Sequence, residues 1–262
     1  MSARKYATVF GIAGRDQLIY LPTYLLRSVF FLIILFIFFS LWRVIYSSAG
    51  VIAGFTITQT LWYLTFTETI EMSQTRLFAP ISAEVKDGSV AYSLVRPYSY
   101  VAYWVSRGMG ENLVKMVPLL AEGFLLATIL VGPLPGYLEA LPFGLIVVIG
   151  GILMGSLLQV VIGLLAFWFE EVTPFWWILQ KITFVIGGLF LPIDFYPEWL
   201  QGVARATPFA FLAYWPASTW VSFSWERFAT TLLGQVGFIV ALSGIAALIF
   251  KRAVFKLQAQ GG

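Results

Sequence analysis

Apolar residues in this chain occur in long, nearly unbroken runs rather than at helical or alternating intervals. A helix needs about 20 mostly apolar residues to cross a hydrocarbon core about 30 Å thick. Six runs answer to that description: residues 24–46, 51–70, 113–131, 141–169, 175–193 and 228–250. The fourth is long enough to imply tilt or a kink. Residues 209–221 are apolar too, but the stretch is short, is split by Pro216, and carries Tyr214, Trp215 and Trp220. Those features suit the membrane interface rather than a span. No fixed-period repeat and no linker composition interrupts the pattern. It predicts an all-α integral membrane protein of six transmembrane helices, one domain over residues 1–262.

Three polar segments decorate that domain. Residues 1–23 place Tyr6, Val9, Phe10, Ala13 and Gln17 at helical intervals, opposite Arg4, Lys5, Thr8 and Arg15. This is the pattern of an amphipathic helix lying in an interface, ended here by Pro22. In residues 71–110, Pro80 suits the first turn of a helix and Gly88 its left-handed closure, with Ile81 and Val85 on one face. Such a capped helix has two uses, to rest on the protein's own spans or to insert into a partner. In residues 194–227, Pro197 and Pro208 bracket a short amphipathic helix with Trp199, Leu200 and Val203 on one side. The cluster Gly132-Pro133-Leu134-Pro135-Gly136 reads as a tight turn.

Composition sharpens this. The chain is 60% hydrophobic and 11% charged, with a mean hydropathy of +0.86, against about 25% charged residues in soluble domains. It holds no histidine and no cysteine. Thiol nucleophiles, Ser-His-Asp triads, disulfides and His- or Cys-ligated zinc are thereby excluded, and a non-catalytic role is expected. Six crossings put both termini on one side. Arg4, Lys5, Arg15, Arg76, Lys86, Arg96, Arg107, Lys115, Lys181, Lys251, Arg252 and Lys256 gather there, which makes that side cytoplasmic. The same rule accounts for the net charge of +3 without any nucleic-acid partner. No cleavable secretory signal is expected.

Ionisable groups inside spans are expensive and so draw attention. Glu122 lies deepest, near the centre of the third span and one turn after Pro118. It is a candidate for a substrate path or proton relay, or a carboxylate paired within the fold. Glu68 and Glu71 fall at the inner end of the second span, where snorkelling or pairing with Arg76 explains them. Arg27, Arg43 and Lys181 lie near span ends. Gly151 and Gly155 form a GxxxG pair, suited to packing within the fold or between subunits. Gln159 and Gln235 are able to hydrogen-bond across helices. No GxxxxGK[ST] sequence occurs, so nucleotide energy would have to come from another polypeptide.

Two stretches resemble the ABC-2 type permeases of bacterial ATP-binding-cassette exporters. The first runs from Ile81-Ser82-Ala83-Glu84-Val85-Lys86-Asp87-Gly88 to Leu94-Val95-Arg96-Pro97, similar to that family's cytoplasmic coupling segment. The second is Gly187-Gly188-Leu189-Phe190-Leu191-Pro192 with Tyr196-Pro197-Glu198-Trp199-Leu200 and Thr207-Pro208-Phe209, similar to its fifth-span exit and re-entrant outer helix. The resemblance implies a plasma-membrane permease working with a second permease, identical or paralogous, above two ABC ATPases that bind ATP and Mg. Glu84 and Arg96 would make polar contacts with the ATPase, and Leu94 and Val95 would form an apolar plug. Drugs and lipid-linked glycans are among that family's substrates. The competing reading is an ion-coupled secondary transporter or channel with Glu122 as its titrating group.

Overall fold

The computed structural model describes residues 3–19 and 21–260, and its regular structure there is helical throughout. Residues 1, 2 and 20 of the expected N-terminal segment lie outside the described residues. Four helices are long and apolar enough to cross a membrane, over Leu26–Tyr46, Tyr100–Val131, Leu138–Phe167 and Trp225–Lys256. The first lies within α2 (Leu21–Tyr46), which follows the N-terminal α1 (Ala3–Leu18). Pro22, expected to close α1, instead sits in the first turn of α2, where its missing N–H costs nothing.

The second apolar run begins later than its hydropathy implies. Ile52 and Phe55 pair across a tight turn in which Ala53 and Gly54 both have positive φ. Thr56 then opens α3 (Ile57–Ser73) with a capping box to Gln59. Seventeen residues of helix span about 25 Å, slightly less than a hydrocarbon core. Twelve of the 17 are buried, including Thr60, Thr65, Thr67, Glu68 and Thr69. Helices α2 and α3 are joined by α6 (Tyr100–Val131), α7 (Tyr137–Leu164) and α11 (Tyr214–Val221) around that core. The Phe66 and Trp220 rings stack at 4.1 Å, and Trp62 meets Phe124 edge-on at 4.7 Å.

Between α3 and α6 lie α4 (Phe78–Lys86) and α5 (Val90–Leu94). The helix of the third apolar run therefore starts at Tyr100, 13 residues before that run begins at Leu113. After α7 and a 3-10 turn at Leu165–Phe167, α8 (Thr173–Val185) is only 13 residues long. The chain then leaves helical geometry, with Gly188 at φ +72°. Its freed carbonyls are taken up by α3: Tyr63 Oη donates to Gly188 O, and Thr67 Oγ1 donates to Leu189 O at 3.0 Å. Irregular backbone survives in an apolar interior only with such partners.

The segment before the last helix holds three helices where the sequence pattern gave one. Glu198–Arg205 (α9) exposes Trp199 and Val203. Pro208–Leu212 (α10) then runs inward until the Leu212 carbonyl lies against Gly151, halfway along α7, and α11 returns with Trp220 over Gly144. Residues 209–221, expected at an interface, are largely buried core. Their aromatic rings fill space between helices instead of forming a belt. Finally α12 (Trp225–Gln260) pairs along α7, with Gln235 Nε2 donating to Val147 O and Phe211 O at 2.7 and 3.0 Å.

Removing the donors to the broken segment tests this packing. Tyr63→Phe and Thr67→Val should each cost about 1–3 kcal/mol, read as a lower melting temperature of the detergent-solubilised protein. Thr58→Val, which loses a bond to Val131 O in a half-buried position near a helix end, should cost less. Equal losses at all three positions would contradict the special demand of residues 188–189.

Candidate functional site

One end of the molecule carries most of the basic side chains and a platform built on α4 and α5. Leu77 and Phe78 lead into α4, Pro80 lies in its first turn, and Gly88 closes it at φ +77°. Ile81 is buried against α7, where a Cβ on Gly163 would come within 2.8 Å of it. Between the two uses open to the α4 stripe, the structure selects docking on the protein's own helices. Glu84 is likewise occupied, accepting from Tyr100 Oη at 2.8 Å. The ring of Tyr100 in turn stacks on Phe250 of α12 at 5.0 Å. Lys86 pairs with Glu171 at 3.3 Å across to the start of α8. Hydrogen bonds from Thr173, with Lys86 beside it, hold the Glu171 carboxyl down at about 2.

Beyond α4 the platform ends in an apolar tip. Val95 is 83% exposed and Tyr92 73%, while Leu94 is half-buried and Arg96 and Pro97 are exposed. Asp87 turns back to accept from Ser89 N at 2.8 Å, and the Ser89 hydroxyl, with that backbone bond, lowers its pKa. The return strand of the tip is clipped by α1. Lys5 Nζ donates to Pro97 O at 3.1 Å, and Ser99 N donates to Tyr6 Oη at 2.9 Å. The face of α1 with Tyr6, Val9, Ala13 and Gln17 is the one turned inward, and Gly14 crosses Gly110 of α6.

A buried polar hub joins this platform to the helices. Asn112 of α6 is fully buried; its Oδ1 accepts from Thr75 N at 2.8 Å and its Nδ2 donates to Gln74 Oε1 and Ser156 Oγ. Gln74 Nε2 reaches Ile152 O of α7 at 3.2 Å. Lys115 donates to Thr75 Oγ1 and extends an Arg107–Glu111–Lys115 charge row along α6. Gln74 also borders a cleft of about 550 Å³ between α2, α3, α7 and α8. Its lining includes Arg27, Phe38, Glu68, Glu71, Arg76, Gln159, Trp176, Phe184 and Phe190.

A sequence-family comparison matches residues 31–261 to the ABC-2 family transporter proteins. That covers nearly the whole chain. The chain belongs to the ABC-2 transporter family. Comparison with curated proteins gave no match. It is thus a membrane permease of an ABC transporter, a transport subunit whose family works with ABC ATPases.

In this permease the sequence-derived candidates fall into separate places. Asp87, Gly88, Val95, Arg96 and Pro97 surround the tip, whereas Glu84 faces inward. Pro192, Pro197, Glu198, Trp199 and Pro208 lie at the opposite end, where Arg205 pairs with Asp194 at 2.8 Å and Trp215 Nε1 donates to Arg205 O. Glu122 is half-buried on α6, its Oε2 without a hydrogen-bond partner among the described residues, and it does not border the cleft. Gly151 and Gly155 admit Leu212 and Gln74, so the GxxxG pair serves internal packing.

Sequence reasoning passed over Asn112 and took Glu68 and Glu71 for snorkelling residues. Glu71 is engaged by Gln180 Nε2 at 3.3 Å, and Arg76 lies 4.7 Å over the Trp176 ring rather than in an ion pair. The run Thr65, Thr67, Glu68, Thr69 was the available signal. It puts polar groups on more than one face of a helix, as a lipid-facing span does not. The hub itself is testable. Asn112→Leu should cost about 1–3 kcal/mol in thermal unfolding, more than Ser156→Ala, which removes one bond of the set. Equal losses would deny Asn112 its central place.

Proposed function

We propose that this permease is the membrane-pathway subunit of an ATP-driven exporter in the bacterial inner membrane. A second permease, identical or paralogous, would complete the pathway, and two ABC ATPases carrying ATP and Mg would dock beneath α4 and α5. One observation carries this reading. The apolar tip at Tyr92 and Val95 is exposed at the end of a helix firmly docked on α7, α6 and α12. A partner that closes on the tip would move α4 as a lever, and the Asn112 hub would pass that motion to the cleft.

Several features support the rest of the topology. The helices alternate in direction between the basic end and the end bearing α9, so α3 and α8 would make six crossings with α2, α6, α7 and α12. The excess of Lys and Arg around α1, α4, α5 and the end of α12 would place both termini in the cytoplasm. Helix α1 would brace the interface, and the α10–α11 pair, touching the middle of α7, would be the re-entrant element. The cleft beside α3 would be the substrate path. The ion-coupled alternative built on Glu122 draws less support, since Glu122 stands apart from that cleft.

Co-purification of the permease with its cognate ABC ATPase tests the docking. Val95→Asp, alone or with Tyr92→Asp, should weaken capture and permease-stimulated ATP hydrolysis about tenfold or more. Trp199→Asp, exposed at the opposite end, should leave both unchanged. Undiminished capture by the tip variants would overturn the assignment.

A further inference from the structure

The cleft has an inner part whose chemistry goes beyond a generic path. Glu68 borders it, one turn of α3 deeper than Glu71, because α3 runs toward the basic end. Glu68 is 6% exposed and makes no hydrogen bond or ion pair among the described residues. Gln159, facing the same cleft and 5% exposed, has its amide oxygen buried without a partner among the described residues. The charged groups nearer the mouth are occupied: Arg27 donates to Met72 O at 2.7 Å, Arg76 covers Trp176, and Glu71 holds Gln180.

A carboxylate withdrawn from water without a partner is costly, and a cation or a proton must meet it. The surrounding wall favours an organic cation. Phe38, Phe184 and Phe190 border the same space; the Phe184 ring already carries the Lys181 ammonium at 5.2 Å, and ring faces such as those of Phe38 and Phe190 attract positive charge while also accepting apolar surface. The volume of about 550 Å³ is in the range of small-molecule sites.

We propose that the inner cleft binds an amphipathic organic cation, with Glu68 as its counter-charge, Gln159 as a further acceptor and the phenyl rings as its apolar wall. This rests on the reading of the cleft as the substrate path and narrows the substrate class to lipophilic ammonium-like or phosphonium-like cations. Glu68 sits beyond the mouth guanidiniums, so it selects charge after entry.

The test uses two probes of the same shape and opposite charge, tetraphenylphosphonium and tetraphenylborate, with the full-length permease in lipid nanodiscs. Saturable binding of the phosphonium is expected, weakened about tenfold or more by Glu68→Gln and retained by Glu68→Asp. Glu122→Gln should bind as the parent does, and binding of the borate should not weaken in Glu68→Gln. Phosphonium affinity unchanged in Glu68→Gln, or a borate bound by the parent as tightly as the phosphonium, overturns the proposal. Should Glu68→Gln fail to yield folded protein, the two probes on the parent protein still decide. Binding here needs no ATPase, so failure of this site and failure of the α4–α5 docking are separate outcomes.

Discussion

Residues 187–189 leave helical geometry in the buried interior of the molecule. Each carbonyl there must find a protein donor or pay a desolvation cost of about 1–3 kcal/mol. Helix α3 supplies those donors from Tyr63 and Thr67, and Tyr214 N adds a bond to Gly187 O at 3.1 Å. A helix that presents hydroxyls on several faces cannot face lipid, so α3 has to be central. Its neighbours α2, α6, α7 and α11 are then required to enclose it, and the α10–α11 pair has to reach inward to Gly151 to complete the enclosure. The arrangement follows from satisfying one stretch of broken backbone.

The same central helix links the two functional regions. Its polar face borders the cleft through Glu68 and Glu71, and its end continues through Gln74 and Thr75 into α4. Asn112 holds that continuation to α6 and α7, so α4 cannot tilt without disturbing residues that border the cleft. Local rigidity is visible at both ends of the link. Ile81 seats on Gly163, and the Tyr100 ring stacks on Phe250 while its hydroxyl serves Glu84. The tip at Tyr92 and Val95 stands exposed beyond that link.

What the sequence disclosed about this design follows from what hydropathy measures. It reports exposure to lipid, so α2, α6, α7 and α12 were legible as long apolar runs, and Gly88 was legible as a helix stop because its backbone needs a positive φ. Residues 209–221 have the same composition as a lipid-facing belt, yet Trp220 packs on Phe66 in the core. Apolar content alone cannot separate those two surroundings. The early start of α6 at Tyr100 was hidden because Arg107, Glu111 and Lys115 satisfy one another along the helix. Glu68 looked peripheral for a related reason. Its depth depends on which residues surround α3, and that is a property of the assembled bundle.

The proposed topology requires α3 and α8 to cross the membrane, α3 although it is polar, because the fold buries it, and α8 although it is only 13 residues long. The absence of native cysteine allows single cysteines at Ser48, Val95, Glu170 and Trp199 to be labelled from either side of an intact membrane with an impermeant maleimide. Positions 95 and 170 should label from one side, and positions 48 and 199 from the other. Labelling of 48 with 95 from the same side would remove α3 from the crossings, labelling of 170 with 199 from the same side would remove α8, and either result would contradict the claim.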